Sequence, residues 1–171
     1  ISLNVGSNTI TIIVTAQDGT TTKTYTITVN RAGSNNADLS NLTVDQGTLT
    51  PAFASGTTSY TDAVANNVTS MTVTPTAAGV GATITVNGST VASGSASQPI
   101  SLNVGNNTIT VVVTAQDGTT TKTYTITVNR AGSNNADLSN LTVDQGTLTP
   151  AFAAGTTSYT DAVANNVTSM T

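Results

Sequence analysis

The sequence predicts an all-β protein made of sandwich domains of about seven strands each. Three observations indicate this class. Thr accounts for 39 of the 171 residues, charged residues make up only 7 %, and apolar residues alternate with Thr in short segments that end at turn residues. The branched Cβ of Thr, Val and Ile restricts χ1 and suits a pleated, half-solvated surface. A disordered segment of this length would carry more charge and fewer β-branched residues, so we expect a packed chain.

An internal repeat sets the expected domain organisation. An offset of 99 residues places Ile1 on Ile100, Arg31 on Arg130 and Tyr60 on Tyr159. Of the 72 positions that overlap at this offset, four differ: Ser7 against Asn106, Ile12 against Val111, Ile13 against Val112, and Ser55 against Ala154. A unit of this length is about the size of one β-sandwich domain and far longer than a solenoid repeat. Each unit is therefore expected to fold independently.

Two Gly/Ser/Asn-rich segments interrupt the alternation and are predicted to be linkers. The chain then comprises the C-terminal part of a repeat (1–32), a linker (33–36), a complete repeat (37–131), a second linker (132–135) and the N-terminal part of the next repeat (136–171). The two partial repeats together lack only the equivalents of Val73 to Pro99. Two explanations fit this phase: the segment is a window on a longer array, or the incomplete ends of neighbouring chains complete each other.

The complete repeat shows the period-two alternation of half-buried strands. The side chains expected to point inward are Leu39, Leu42, Val44, Leu49, Phe53, Tyr60, Val64, Met71, Val73, Ala82, Ile84, Val86, Ile100, Leu102, Val104, Ile109, Val111, Val113, Tyr124, Ile126 and Val128. An irregular step between Leu39 and Leu42 predicts a bulge. Asn87-Gly88 favours a type I′ hairpin turn, and Asp117-Gly118 marks a second hairpin. About seven strands without a helix are typical of an immunoglobulin-like Greek-key sandwich.

Composition excludes several classes of function. The net charge is −4 with four basic residues, so no cationic patch is available for nucleic acid. No run approaches the roughly 18 apolar residues that span a bilayer. Cys, His and Glu are absent, whereas catalysis at neutral pH usually requires one of them or a tuned pair of carboxylates. Every Asp has a turn or loop position by pattern, so we expect no enzyme, no catalytic residue and no cofactor.

Calcium is the one metal that the sequence leaves open. Asn35, Asn36 and Asp38, at the first junction, could supply a few of the six to eight oxygen ligands that Ca²⁺ takes. The same residue types favour turns by bonding their own backbone, and this interpretation stands beside the first. Lys122 lies just past a turn in outward phase, so its side chain is expected to be solvated.

The assembled segments resemble the bacterial cadherin-like β-sandwich domain family, whose units recur in large surface proteins. The segments that carry the resemblance are Leu39-Ser40-Asn41-Leu42-Thr43-Val44, Gly47, Leu49, Pro51, Tyr60, Val64, Val86-Asn87-Gly88, Gly105-Asn106-Asn107-Thr108-Ile109, Val113-Thr114-Ala115-Gln116-Asp117-Gly118 and Thr121-Lys122-Thr123-Tyr124-Thr125-Ile126. The resemblance implies an extracellular, non-enzymatic module for display, spacing or adhesion. The acidic interdomain calcium motifs of true cadherins are absent.

The function expected from these observations is structural. The chain is interpreted as a tandem-repeat module of a bacterial extracellular fibre or a large cell-surface protein, secreted and in contact with copies of itself, end to end. The alternative is a multivalent adhesin whose loops bind a glycan or a protein, because near-identical units multiply a weak site by avidity.

Overall fold

The computed structural model describes residues 1–171 as an all-β chain, which confirms the predicted class. Two compact units are present, Ile1–Gly132 and Ser133–Thr171. The strands are β1 (Gly6–Thr15), β2 (Thr22–Arg31), β3 (Leu39–Val44), β4 (Ser59–Val64), β5 (Ser70–Met71), β6 (Val73–Ala77), β7 (Thr83–Val86), β8 (Ser89–Val91), β9 (Ile100–Ser101), β10 (Gly105–Thr114) and β11 (Thr121–Arg130). All of them belong to the first unit.

Strands β3 to β11 form a β-sandwich around one hydrophobic core. A five-stranded sheet has the order β4-β11-β10-β7-β8, in which β4 runs parallel to β11 and the other neighbours are antiparallel. The pairs β3-β6 and β5-β9 supply the remaining strands. The buried apolar side chains of the core are Ala37, Leu39, Leu42, Leu49, Tyr60, Val64, Met71, Val73, Ile84, Val86, Val91, Leu102, Ile109, Val111, Val113, Ala115, Tyr124, Ile126 and Val128.

Local features predicted from single residues are confirmed. The register of β3 against β6 shifts between Leu39 and Asn41, where the bulge was expected. Asn87 has φ 47° and Gly88 φ 81°, so both central residues of the β7-β8 turn have the positive φ that a type I′ turn requires. Strands β10 and β11 pair along their full length, with Val111 opposite Tyr124.

Three strand predictions need correction. The strand expected through Met71 and Val73 is split, because the Thr72 N–H donates to the Asp45 carboxylate at 2.6 Å and leaves the ladder. Ser70–Met71 therefore pairs with β9, whereas Val73–Ala77 pairs with β3. Strand β8 returns from the predicted Asn87-Gly88 hairpin turn, but its buried residue Val91 was not predicted to point inward.

Val104, the third correction, was expected to point inward and is instead exposed. Asn107 Oδ1 accepts the Asn103 N–H at 2.8 Å, and Asn107 Nδ2 donates to the Asn103 carbonyl at 2.8 Å. These bonds bend the chain just before β10, so the alternation that begins at Ile100 does not continue through Val104.

Two tyrosines connect the core to polar backbone. The hydroxyl of Tyr124 accepts the Leu39 N–H at 2.9 Å, and the hydroxyl of Tyr60 donates to the Thr57 carbonyl at 2.8 Å. A Tyr side chain is usually buried only where its hydroxyl has such a hydrogen-bond partner. The ring of Phe53 stacks on Tyr60 with a centroid separation of 6.3 Å.

The segments outside the sandwich keep local backbone pairing, but their apolar side chains are more exposed than those of the sandwich. Strands β1 and β2 form the same hairpin as β10 and β11, with Ile12 opposite Tyr25, but their apolar face is open. The Ser133–Thr171 unit contains one isolated bridge, between Thr149 and Thr160, and no strand.

Candidate functional site

The first linker is held against the sandwich by one backbone and one side-chain hydrogen bond at the β10-β11 turn. The carbonyl of Ser34 accepts the Asp117 N–H at 3.0 Å, and the Ser34 N–H donates to Gln116 Oε1 at 3.2 Å. A Cβ on Gly33 would lie 2.9 Å from both the Asp117 nitrogen and the Gln116 carbonyl oxygen, which is closer than such contacts occur. Gly33 therefore lets the linker lie flush on the turn. We call this contact the linker dock.

The next residues form a sequence of local turns. Ser34 Oγ accepts the Asn36 N–H at 3.2 Å, and Asn36 Oδ1 accepts the Asp38 N–H at 2.9 Å. The Asp38 carbonyl accepts the Ala78 N–H at 2.8 Å. The first two bonds are the self-capping turns that Asn and Ser favour, and the third joins the residue before β3 to the residue after β6.

Lys122 keeps part of its side chain in solvent, as its outward phase predicted, and it also forms an ion pair that the sequence did not indicate. Its Nζ lies 2.7 Å from Asp38 Oδ1, 3.3 Å from the Ser55 carbonyl oxygen and 5.5 Å from the centre of the Tyr124 ring. The hydrogen bond to Asp38 raises the pKa of Lys122 above its ordinary value. The position of a residue along a strand predicts the face of the sheet from which its side chain projects. The long aliphatic part of a Lys side chain can still carry the ammonium group to a partner beyond the end of the sheet.

The three calcium candidates do not converge on a cation site. Asn35 is exposed, Asn36 Oδ1 is bonded to backbone, and the Asp38 carboxylate already faces an ammonium group. No group of three or more acidic, His or Cys side chains is close enough to hold a metal ion. Calcium could use Asp38 only after Lys122 moved away, so the donors in this arrangement do not fit the ion. The calcium prediction stays a prediction that titration with Ca²⁺ would test.

Asp117 organises the turn on which the linker docks. Its Oδ1 accepts the N–H groups of Thr119 and Thr120 at 2.9 and 2.8 Å, and its Oδ2 accepts the Thr120 hydroxyl at 2.6 Å. These bonds, the Thr120 hydroxyl first among them, lower the pKa of Asp117 to about 2. In the β1-β2 turn, hydrogen bonds from Thr21 likewise lower the pKa of Asp18 to about 2. The carboxylate is thus held ionised as a turn former, which is unsuited to proton transfer near neutral pH.

Replacing Thr120 by Val tests this assignment. The substitution keeps the branched shape and removes the hydroxyl, so we expect the pKa of Asp117 to rise from about 2 toward 3.8. Because the folded-state pKa of Asp117 lies below its unfolded value, its contribution to stability is present above about pH 4 and is lost as the pH falls toward 2.

The measurement is an NMR titration of the Asp carboxyl carbons. Asp18 serves as the internal control, because its own partner Thr21 is intact and its midpoint should stay near 2. An Asp117 midpoint that remains at about 2 in the variant would contradict the role of the hydroxyl.

Asp62 was expected to flank a loop and is instead buried within β4. Its Oδ1 accepts the Thr48 N–H at 2.7 Å, while its Oδ2 has no hydrogen-bond partner. The Asp62 carboxylate therefore links strand β4 to the loop that follows β3. Sequence pattern could have indicated this position, because Asp62 lies between inward Tyr60 and Val64 with a spacing of two.

A shallow groove with a largely apolar lining lies beside β3. It has a volume of about 300 Å³ and is lined by Asn41, Leu42, Thr43, Val44, Gly47, Thr48, Leu49, Ala52 and Phe53. None of these side chains is titratable, so the groove offers contact area without acid, base or nucleophile.

The two packed layers of strands and the linker that lies on the β10-β11 turn define a β-sandwich module. The model of the family described as cadherin-like beta sandwich domain matches residues 1–32 and 39–131. The chain belongs to this family.

One curated relative contains a region similar to this chain. A protein of Evansella cellulosilytica with the name "Putative membrane protein" is 43 % identical over 97 residues, which cover 57 % of this chain and 14 % of the relative. The matched region is thus a small part of a much longer protein. In the present chain, no helix has the length and apolar character needed to cross a bilayer.

Proposed function

We propose that this chain is a structural repeat module of a bacterial extracellular fibre or large cell-surface protein, with each 99-residue unit folding as one sandwich. The linker dock supports this proposal most directly. A tether that only connects domains has no need of a close backbone approach, whereas Gly33 and Ser34 are fixed on the Asp117 turn by two hydrogen bonds. A fixed entry point sets the direction from which the preceding unit arrives.

The path of the chain through the sandwich supports a spacing role. The chain enters beside Asp117, at the start of β11, and leaves by Ala131, whose N–H donates to the Val64 carbonyl at 3.0 Å at the other end. The ten residues of β11 span about 30 Å between these points. Entry and exit at opposite ends extend an array by a constant step, and a linker of four residues reaches at most about 14 Å.

The family and the relative support the proposed location. Cadherin-like sandwiches are typically non-enzymatic modules, and the relative from Evansella cellulosilytica has the name "Putative membrane protein" and is similar to this chain over a small part of its length. We place the module outside the cell, attached to or released from the surface. Electron microscopy of the native material should show filaments or stalks with a regular axial spacing, and featureless globular particles would contradict the proposal.

Replacing Gly33 by Ala tests the dock itself. The added Cβ collides with backbone atoms of Gln116 and Asp117, so the linker must lift and the hydrogen bond to the Asp117 N–H is lost. Loss of one hydrogen bond, worth about 1 kcal/mol, should accelerate amide exchange at Asp117 about fivefold.

Gly132→Ala is the matched control, because the nearest atom to its new Cβ is a Val104 methyl group at an ordinary 3.8 Å. It should leave the Asp117 exchange rate unchanged. If Gly33→Ala also leaves it unchanged, the linker is a flexible tether, and the adhesin alternative, tested by binding of the chain to a glycan array, becomes the better interpretation.

A further inference from the structure

The chain enters the sandwich through a cluster of contacts at the start of β11. The Lys122 ammonium group lies 2.7 Å from Asp38 Oδ1. The Leu39 N–H donates to the Tyr124 hydroxyl at 2.9 Å. The linker dock adds the two hydrogen bonds between Ser34 and the β10-β11 turn. We call these contacts together the entry clamp.

The chain leaves the sandwich at the opposite end of the same strand. Ala131 directly follows the last residue of β11, and its N–H donates to the Val64 carbonyl at 3.0 Å. The Arg130 side chain fixes the exit further, because it donates to the carbonyls of Asn66 and Leu102. One strand about 30 Å long therefore joins the entry point to the exit point.

Strand β11 is held on both sides within the sheet. It pairs with β10 over ten residue pairs and with β4 over six. The hydrogen bonds of these pairs run across the strands, so a pull along β11 loads all of them in shear at the same time. A pull across the strands loads only the last pair and opens the pairs one after another. The sheet is therefore strongest against displacement of β11 along its own length.

Strand β3 runs in the same direction as β11. Its first residue, Leu39, is bonded to Tyr124 near the start of β11. Beyond β3, the Thr48 N–H donates to Asp62 at 2.7 Å, and Asp62 lies opposite Val128 near the end of β11. Tension between the linker and Ala131 therefore pulls β3 and β11 in opposite directions along their lengths. This direction loads the β3-β6 pairing in shear as well.

We propose that the sandwich carries tension along β11 and that the entry clamp determines the force at which it unfolds. Force applied to the linker passes through the clamp into the start of β11, follows the covalent chain of this strand and leaves at Ala131. Strands β7 and β8, at the far edge of the sheet, lie outside this load path. The inference rests on the proposed structural function and adds mechanical resistance to it.

The bonds of the entry clamp act together. All of them tie residues 34–39 to residues 116–124, so tension on the linker stretches them at the same time. The ion pair is partly exposed, and such pairs contribute little to equilibrium stability. Forced unfolding depends on the barrier to unfolding, not on the equilibrium free energy, so a contact can be weak at equilibrium and still limit the rate under load.

Single-molecule force spectroscopy of the full chain in two directions tests the load path. The chain has no Cys, so two introduced Cys residues fix the points of attachment. Ala32→Cys with Ala131→Cys uses exposed, equivalent positions of successive repeats and pulls along β11. Val104→Cys with Ala131→Cys pulls across the strands at one end, because exposed Val104 precedes Gly105, the partner of Arg130.

The force along β11 should be the larger of the two. At the same loading rate we expect it to be at least about twice the force across the strands, because the hydrogen bonds share the load only in the first direction. Equal forces, or a larger force across the strands, would overturn the load path.

Tyr124→Phe tests the entry clamp, because it keeps the buried ring and removes the hydroxyl that accepts the Leu39 N–H. Tyr60→Phe is the matched control. The Tyr60 ring is also buried, and its hydroxyl donates to the Thr57 carbonyl at 2.8 Å, a local contact outside the load path. Each variant loses hydrogen bonding of one hydroxyl, so the urea midpoints should fall by similar amounts.

The two variants should differ under load. Along β11, Tyr124→Phe should lower the unfolding force by about a third, at least about twice the loss from Tyr60→Phe, because only the first variant weakens the contact through which the load passes. Equal losses of force from the two variants would overturn the role of the entry clamp.

The force measurements and the proposed function fail separately. Equal forces in the two directions, together with regularly spaced filaments in electron micrographs, would make the module a spacer and overturn the load path alone. Featureless globular particles in the micrographs would overturn the structural function itself, and the mechanical role with it.

Discussion

Replacing Tyr124 by Ala should lower the free energy of unfolding of the sandwich by about 3–5 kcal/mol. The ring is fully buried in the core, and its hydroxyl accepts the Leu39 N–H at the start of β3. The substitution therefore leaves a large cavity and an unsatisfied backbone donor, two of the most destabilising changes in a protein interior. Urea unfolding followed by circular dichroism measures the loss.

The repeat offers a matched control for this prediction. Tyr25 occupies the same position in the β1-β2 hairpin, where its ring is about half exposed and its hydroxyl has no partner. Tyr25→Ala should change the unfolding free energy of the sandwich by less than about 0.5 kcal/mol, as surface substitutions do. Equal losses from the two variants would mean that the hairpin is part of the cooperative core, contrary to the burial described above.

Replacing Gly47 by Ala has the second largest expected effect, a loss of about 2–5 kcal/mol. Gly47 has φ 70°, which costs an L-residue about 1–2 kcal/mol, and its new Cβ would collide with the buried carboxylate of Asp62. Asp62 cannot move freely, because its Oδ1 holds the Thr48 N–H. Overpacking of this kind typically adds about 1–3 kcal/mol.

Gly118→Ala separates the two contributions. Gly118 has a similar φ of 74°, but no atom lies within 4 Å of its Cβ position. It should therefore lose only the backbone contribution, about 1–2 kcal/mol. If both variants lose the same amount in urea unfolding, the Asp62 contact is relieved at no cost and the buried carboxylate does not constrain the loop.

Several predictions succeeded because they depend on residues close in sequence. The β7-β8 turn needs positive φ at two adjacent positions, and Asn87-Gly88 is the dipeptide that tolerates it best. Alternation of apolar residues with Thr determines which face of β10 and β11 is buried, because the side-chain period of a strand is two. The same local rule placed the bulge at the start of β3.

The contacts that the sequence did not predict join partners distant in the chain. Lys122 meets Asp38 across 84 positions, and Thr72 leaves its strand for Asp45 across 27 positions. Neither contact has a sequence signature, because each arises only when two strands have been packed side by side. The linker dock is of the same kind, since composition indicates a linker but not a surface to lie on.

What the sequence by itself determined is the all-β class, the hairpins, the inward faces and the 99-residue repeat, because strand period, turn chemistry and self-similarity are local properties. The tertiary structure alone decided that Asp62 is buried, that Lys122 is paired and that Gly33 lies on the Asp117 turn. It also determined which of two identical sequence segments has its apolar side chains buried. Tyr25 and Tyr124 share the same neighbours in sequence, and only the strands packed against Tyr124 make one of them core and the other surface.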